Sequence, residues 1–286
     1  MKTFTKWRSL SLMVAFVFAA MTLAPAVTLA AQPMVGLGTA RSFAVLAGQT
    51  VTNTGATTIG GSAGGNVGVS PGSAFTGQET VTMSGAVHLA DAVALQAQAD
   101  LGTAYTDAAG RTPFNTIAVE LGGTTLKPGV YVTETGALGL TGVLTLDAQG
   151  DPNAVFIFKS ASSLITASGS SVRLINGAQP CHVYWQITSS ATLGSNSQFV
   201  GHLMALTDIS AQTGATIRGQ LLARNGSVTL DHNTITNDKC ASSGGGGTTG
   251  GGTLPKTATP LYDVLLVGVA LMLVGAGVWS IRKRFE

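Results

Sequence analysis

The sequence predicts a mainly β solenoid, a triangular β-helix with one long α-helix packed alongside. Three observations lead there: a repeat near 18 residues, short β-rich segments parted by turn residues, and one long apolar stripe at helical spacing. In "AQTGATIRG", Thr213 and Thr216 precede the apolar Ile217. Counting back 18 residues gives Ser195 and Gln198 before Phe199, and a further 27 gives Ser168 and Ser171 before Val172. Eight residues before each of those apolar positions stand Ile209, Ala191 and Leu164. The copy "VTLDHNTIT" is one residue shorter and ends on Thr234-Ile235, while "VTNTGATTI" keeps the eight-residue interval from Val51 to Ile59 and carries Thr54 to Thr57. Polar and apolar positions held in register at such a period mark a solenoid.

Lys2, Lys6 and Arg8, an apolar run from Leu10 to Ala20 and the small-residue end "TLA" make residues 1–30 an export signal. The folded domain is expected over 31–240. A strand is expected from Phe43 to Val51. "GGSAGGNVGVSPGSAFTGQ" follows, where Gly and Pro argue against regular structure. A helix is expected over about 87–109, with Leu89, Val93, Ala97, Leu101, Ala104 and Ala108 as its stripe and Gly110 as its stop. After it, "LKPGVYV", "GVLTLDA", "AVFIFKS", "HVYWQIT", "GHLMAL" and "QLLAR" read as short strands. Coils of this length give three strands each, hence a triangle. A sandwich is the runner-up, disfavoured by the register of the repeats.

Charged residues are 10% of the chain, against about 25% in an ordinary soluble domain. A net charge of +2 and 6% aromatics argue against nucleic acid as a partner. Cys181 and Cys240 suit one disulfide in an exported protein, worth roughly 4 kcal/mol in the chain-entropy model.

Beyond the domain, residues 241–253 form a Gly/Ser/Thr linker, "LPKTA" occupies 254–258, an apolar run covers 264–281, and a basic tail covers 282–286. This arrangement resembles a sortase sorting signal of the LPxTG type. The resemblance implies cleavage between Thr257 and Ala258 and attachment to the cell envelope, with Ala258 in place of the usual glycine. Should no sortase act, the run itself serves as a transmembrane anchor. The expected location is extracellular, held at the cell wall or membrane.

The blocks "LGTARSFAVLAGQTVTNTGATTI", "GVSPGSAFTG", "LTLDAQGDPNAVFIFK", "INGAQPCHVYWQI" and "TGATIRGQLLARNGSVTLDHNTIT" closely resemble the microbial ice-binding protein family. The resemblance runs from about Val35 to Cys240. It implies a right-handed, discontinuous β-helix, in which the first coil lies among the later ones, and it implies an ice crystal surface as partner, no cofactor and a monomer. Some members carry a T-A/G-x-T/N motif on the contact face. Thr54/Thr57 and Thr213/Thr216 match it, and Ser168/Ser171 and Ser195/Gln198 depart from it. Thr192, Ser210, Thr229 and Thr234, from the same coils, complete the candidate set.

Stacked coils are about 4.7–4.9 Å apart and alternate residues of a strand about 6.6–6.8 Å apart, both near oxygen repeats of ice. Threonine is stiff at χ1, so rows of it lose little rotamer entropy on contact. The alternative is a display or adhesive module of the same fold with little ice affinity. An enzyme is not expected: Asp147, Asp151, Asp208 and Asp231 occupy no equivalent positions, and paired carboxylates would be needed about 5–9.5 Å apart. Asp147 and Asp151 read as turn residues. His88, His182, His202 and His232 lack metal-ligand spacing, and Asp231 and His232, adjacent in a strand, would point to opposite faces. Trp185 reads as a core or helix contact.

Overall fold

Alternation of inward apolar and outward polar residues closes the chain into coils that lay one short strand on each of three faces. The computed structural model describes residues 32–133 and 136–241. The export segment 1–30, the LPKTA motif, the run 264–281 and the tail 282–286 lie outside the described residues, as does the linker 241–253 apart from Ala241. Among the described residues no helix is long and apolar enough to cross a membrane.

All neighbouring strands are parallel. On the covered face they run in the order Val87–Leu89, Asn66–Val69, Phe43–Ala47, the second halves of Thr216–Ala223 and Gln198–Ala205, Val183–Ile187, Phe156–Ser160, Gly129–Thr133 and Asn115–Thr116. The first open face is a separate sheet: Ala74–Thr76, Thr50–Thr54, Val228–Asp231, Ile209–Ala211, Ala191–Leu193, Leu164–Thr166 and Leu138–Leu140. The second open face holds Val81–Met83, Thr57–Gly60, Thr234–Thr236, the first halves of the two long strands, Ser171–Ile175, Val143–Asp147 and Thr125–Leu126.

The stacking order is discontinuous. Thr234–Thr236 lies between Thr216–Ala223 and Thr57–Gly60, and Phe43–Ala47 pairs with Thr216–Ala223, so the N-terminal coils sit on the C-terminal one. The chain leaves one end after Val87–Leu89 and re-enters at the other with Asn115–Thr116. Eight coil spacings separate these strands, about 38 Å. The helix, α1 (Ala92–Gly110), covers about 28 Å of that distance.

α1 starts later than its apolar spacing suggests. Asp91 caps it, its carboxylate accepting from the Ala94 N–H at 2.8 Å, and residues 87–89 are a strand. The buried stripe is accordingly turned: Ala94, Ala97, Gln98, Leu101, Ala104 and Ala108 face inward, while Leu89 and Val93 are exposed. Three of those alanines, Ala97, Ala104 and Ala108, join Leu101 against Leu46, Ile157, Tyr184, Met204 and Leu222 of the covered face. At the other end the Lys159 ammonium donates to the carbonyls of Ala109 and Arg111 at 3.0 and 2.9 Å, capping the negative end of the helix. Two further expectations are corrected. Phe43 to Val51 is not one strand, because the chain turns a corner at residues 48–49. The glycine-rich stretch is not irregular: it contains Asn66–Val69 and Ala74–Thr76, whose hydrogen bonds come from neighbouring coils rather than from local propensity.

Inside the coils, aromatic rings form a ladder. Trp185 stacks on Phe158 at 4.1 Å between centroids and meets Phe199 at 5.2 Å, with Tyr131 beyond Phe158 at 5.5 Å. Its indole N–H donates to the Val200 carbonyl at 2.9 Å. Trp185 is thus a core residue and does not touch solvent.

Between the covered face and the segment 34–41, His202 is buried, its Nε2 donating to the Cys181 carbonyl at 3.3 Å. Burial pushes its pKa down to about 4. The unfolded chain, near 6.5, then binds more protons between pH 6.5 and 4, so stability is full above 6.5 and falls through that window on acidification. The loss is about 3 kcal/mol. Urea midpoints measured from pH 7 to 4 should show it, and His202→Gln should flatten the profile; an equal slope in that variant would refute the assignment.

Candidate functional site

The corner between the two open faces is built on one residue per coil in the left-handed conformation. Gly169, Asn196, Gly214, His232 and Gly55 have φ of 68°, 56°, 74°, 51° and 72°. The residues before them form an outward row, Ser168, Ser195, Thr213, Asp231 and Thr54. Adjacent coils are joined there by bonds from the Gly169, Asn196, Gly214 and His232 N–H groups to the Ser195, Thr213, Asp231 and Thr54 carbonyls at 2.9–3.1 Å. The residues after them point inward: Ser170, Ser197, Ala215 and Asn233 are buried.

This geometry splits each expected hydroxyl pair. The first member lies on the corner, and the second lies on the second open face. There the register gives a row of Thr82, Thr58, Thr234, Thr216, Gln198, Ser171 and Val143. Thr57 is not a contact residue. The first coil carries one extra turn residue, Ala56, which rotates Thr57 inward to 2% exposure, where its hydroxyl accepts from the Asn233 N–H at 3.1 Å. Thr58 takes the outward place. Thr54 does share a row with Thr213, but Asp231 stands between them.

On the first open face the central outward row is Thr76, Thr52, Thr229, Ser210, Thr192, Ile165 and Gly139. A shallow groove runs between it and the corner row, lined by Ser210, Thr229, Ser195, Thr213, Thr54 and Asp231. Thr52, Thr58, Thr76 and Thr82 were missed by the repeat count. Counting inward–outward alternation from Val51 and Ile59 finds the first two; the others needed the strands at 74–76 and 81–83.

The two open faces differ in charge. Beside its threonine row, the second face carries a parallel row in which Arg173 and Arg218 are exposed. Among the described residues the first face bears its carboxylates at its margins, and two of them, Asp208 and Asp231, are tied down. Asp208 accepts from the Ser227 N–H at 2.8 Å. Asp231 accepts from the Thr213 hydroxyl at 2.5 Å and from His232 Nδ1 at 2.6 Å. Those bonds, Thr213 first and His232 second, hold the Asp231 carboxyl below its ordinary pKa. Asp231 and His232 therefore meet, against expectation, because residue 232 is a left-handed turn and not strand.

The remaining polar residues do structural work. Asp147 and Asp151 accept from the N–H groups of Gln149 and Asn153, two residues on, as turn carboxylates do. Cys181 and Cys240 are joined in a disulfide, and His182 Nε2 lies 3.2 Å from Cys240 Sγ. Cys181, His182 and Cys240 bring three potential metal donors together, but bonded sulfurs offer no thiolate to an ion.

Regular rows of short hydroxyls on a parallel solenoid, backed by a helix on the third side, define a protein that acts through an extended surface rather than a cleft. The chain belongs to the ice-binding-like family, whose model matches residues 45–236. It is 49% identical over 203 residues to an ice-binding protein of Nostoc sp. (strain HG1), covering 70% of this chain and 73% of that one. Among solved structures, an ice-binding protein from an Antarctic biological consortium superposes with a TM-score of 0.70 at 44% identity, covering 75% of this chain and 96% of that one. One from the Antarctic ascomycete Antarctomyces psychrotrophicus gives 0.68 at 41%, covering 73% and 100%.

Proposed function

We propose that this protein binds ice through its first open face. The carrying observation is the charge contrast between the two uncovered faces. An exposed guanidinium keeps its own hydration and a mobile stem, both of which disturb a lattice-like water layer. The first face instead offers neutral, mostly β-branched side chains at spacings of about 4.8 Å across coils and about 6.7 Å along strands. Its groove gives water a place between two hydroxyl rows. Adsorbed molecules then pin the ice front, which curves between them and stops; no bond is made or broken. Of the candidate residues, Thr192, Ser210 and Thr229 form the centre of this surface and Ser168, Ser195, Thr213 and Thr54 its corner, while Ser171, Thr216 and Thr234 belong to the other face.

In the same reading, residues 1–30 direct export. The linker tethers the domain to the cell envelope in one of two ways: through the Thr257 carbonyl after a sortase cuts the Thr257–Ala258 bond of LPKTA, or through the run 264–281 where that bond stays intact. There the domain protects against freezing or holds the cell to ice. The support for this part is the order and composition of those segments.

The test is freezing-point hysteresis together with coating of a growing ice hemisphere by fluorescently labelled protein. Thr229→Tyr puts a bulky ring in the middle of the first face and should abolish most of the hysteresis. Thr234→Tyr, its counterpart on the second face, should leave most of it. The reverse outcome would move the contact surface, and no coating by the unsubstituted protein would end the ice-binding reading.

A further inference from the structure

Asp231 raises a question that the reading of the first open face leaves open. A carboxylate stands in the corner row between Thr213 and Thr54, on a surface whose chemistry disfavours charge. Its surroundings supply the answer. Oδ2 accepts from the Thr213 hydroxyl, one coil away, at 2.5 Å, and Oδ1 accepts from His232 Nδ1 at 2.6 Å. The imidazole is itself seated: it lies across Gly55 of the next coil, where a Cβ would fall 2.1 Å from its Cε1. The group thus ties together three stacked coils, those of Thr213, of Asp231 and of Gly55.

We infer that Asp231 and His232 form a positioning dyad that fixes Thr213 in one rotamer for contact with ice and turns the carboxylate's charge along the surface, away from the crystal. This rests on the assignment of ice binding to the first open face. The chemistry needs both partners. β-branching narrows the χ1 of a threonine but, at an exposed corner, leaves more than one staggered position open. A charge-assisted bond to a carboxylate is about twice as strong as a neutral one and selects the position that reaches it. The carboxylate would be free to swing if only Thr213 held it; the imidazole N–H takes its other oxygen, and the absent side chain at Gly55 gives the ring its seat. Asp231 and His232 are positioning residues, acting on ice through Thr213.

A double-substitution cycle separates this role from general scaffolding. Asp231→Ala is expected to lower hysteresis by about twofold or more, as coupled contacts do. It should also turn the three-bond couplings of the Thr213 methyl from a single-rotamer pattern to an averaged one. In a Thr213→Val background, where the side chain is stiff without the bond, Asp231→Ala should cost nothing further. His232→Ala should average the same couplings and lower hysteresis. Unchanged couplings and hysteresis in Asp231→Ala, losses that add across the cycle, or a silent His232→Ala would each overturn the dyad. If Thr229→Tyr abolishes hysteresis while Asp231→Ala does not lower it, only the dyad falls. If Thr229→Tyr is harmless, the choice of face falls, and the dyad's role in ice contact falls with it.

Discussion

Trp185→Ala is expected to lower the stability of the domain by about 3–5 kcal/mol. The indole lies wholly inside the coils between Phe158 and Phe199, so removing it leaves a void the parallel strands cannot close. Strand spacing is set by backbone hydrogen bonds at every coil, and a local collapse would break the ladder above and below. The Val200 carbonyl also loses its partner, which burial makes expensive. For a domain near 200 residues the loss corresponds to a fall in Tm of roughly 6–20 °C. Thermal and urea unfolding would read it. A loss under about 1 kcal/mol would mean the interior is far more compliant than close packing allows.

Gly219→Ala should be of similar size, for a reason that has nothing to do with apolar burial. Gly219 stands opposite Gly201 where the two long strands pass from the second open face to the covered face. Its φ is 149°, and a Cβ there would fall 2.0 Å from the Gly201 carbonyl oxygen. Backbone strain of about 1–3 kcal/mol and overpacking of about 1–3 kcal/mol add, because relief of one does not relieve the other. Gly142→Ala isolates the first contribution. Its φ is 82° and nothing lies within 4 Å of the added Cβ, so it should cost only the backbone share. Equal losses in the two variants would show that the close approach at the corner does not matter.

Much of the fold was legible because a solenoid repeats its instructions. The intervals that end on Ile217, Phe199, Val172 and Ile235 mark residues that are all buried in the coil interior. The helix was found from its stripe but misplaced at its start, since apolar spacing says nothing of the Asp91 cap. The strand Ala74–Thr76 was hidden, because glycine-rich sequence has little propensity of its own and is held by Thr50–Thr54 of the neighbouring coil. The hydroxyl pairs were recognised, but a three-residue spacing across a left-handed corner puts its two members on different faces. That is why Thr213 and Thr216 part company, and why an extra Ala56 buries Thr57 and exposes Thr58 in its place.

By itself, then, the sequence determined the period, the alternation of inside and outside and the covering helix, because these depend on local spacing that a linear chain records directly; the family it carried in the resemblance of whole sequence blocks. Tertiary structure alone decided which hydroxyls share a surface, which uncovered face carries Arg173 and Arg218, and that Asp231 meets Thr213 and His232. Those outcomes depend on how coils from distant parts of the chain stack and on the handedness of single corner residues. A left-handed φ at one position re-aims every side chain beside it, and nothing in residue spacing announces it.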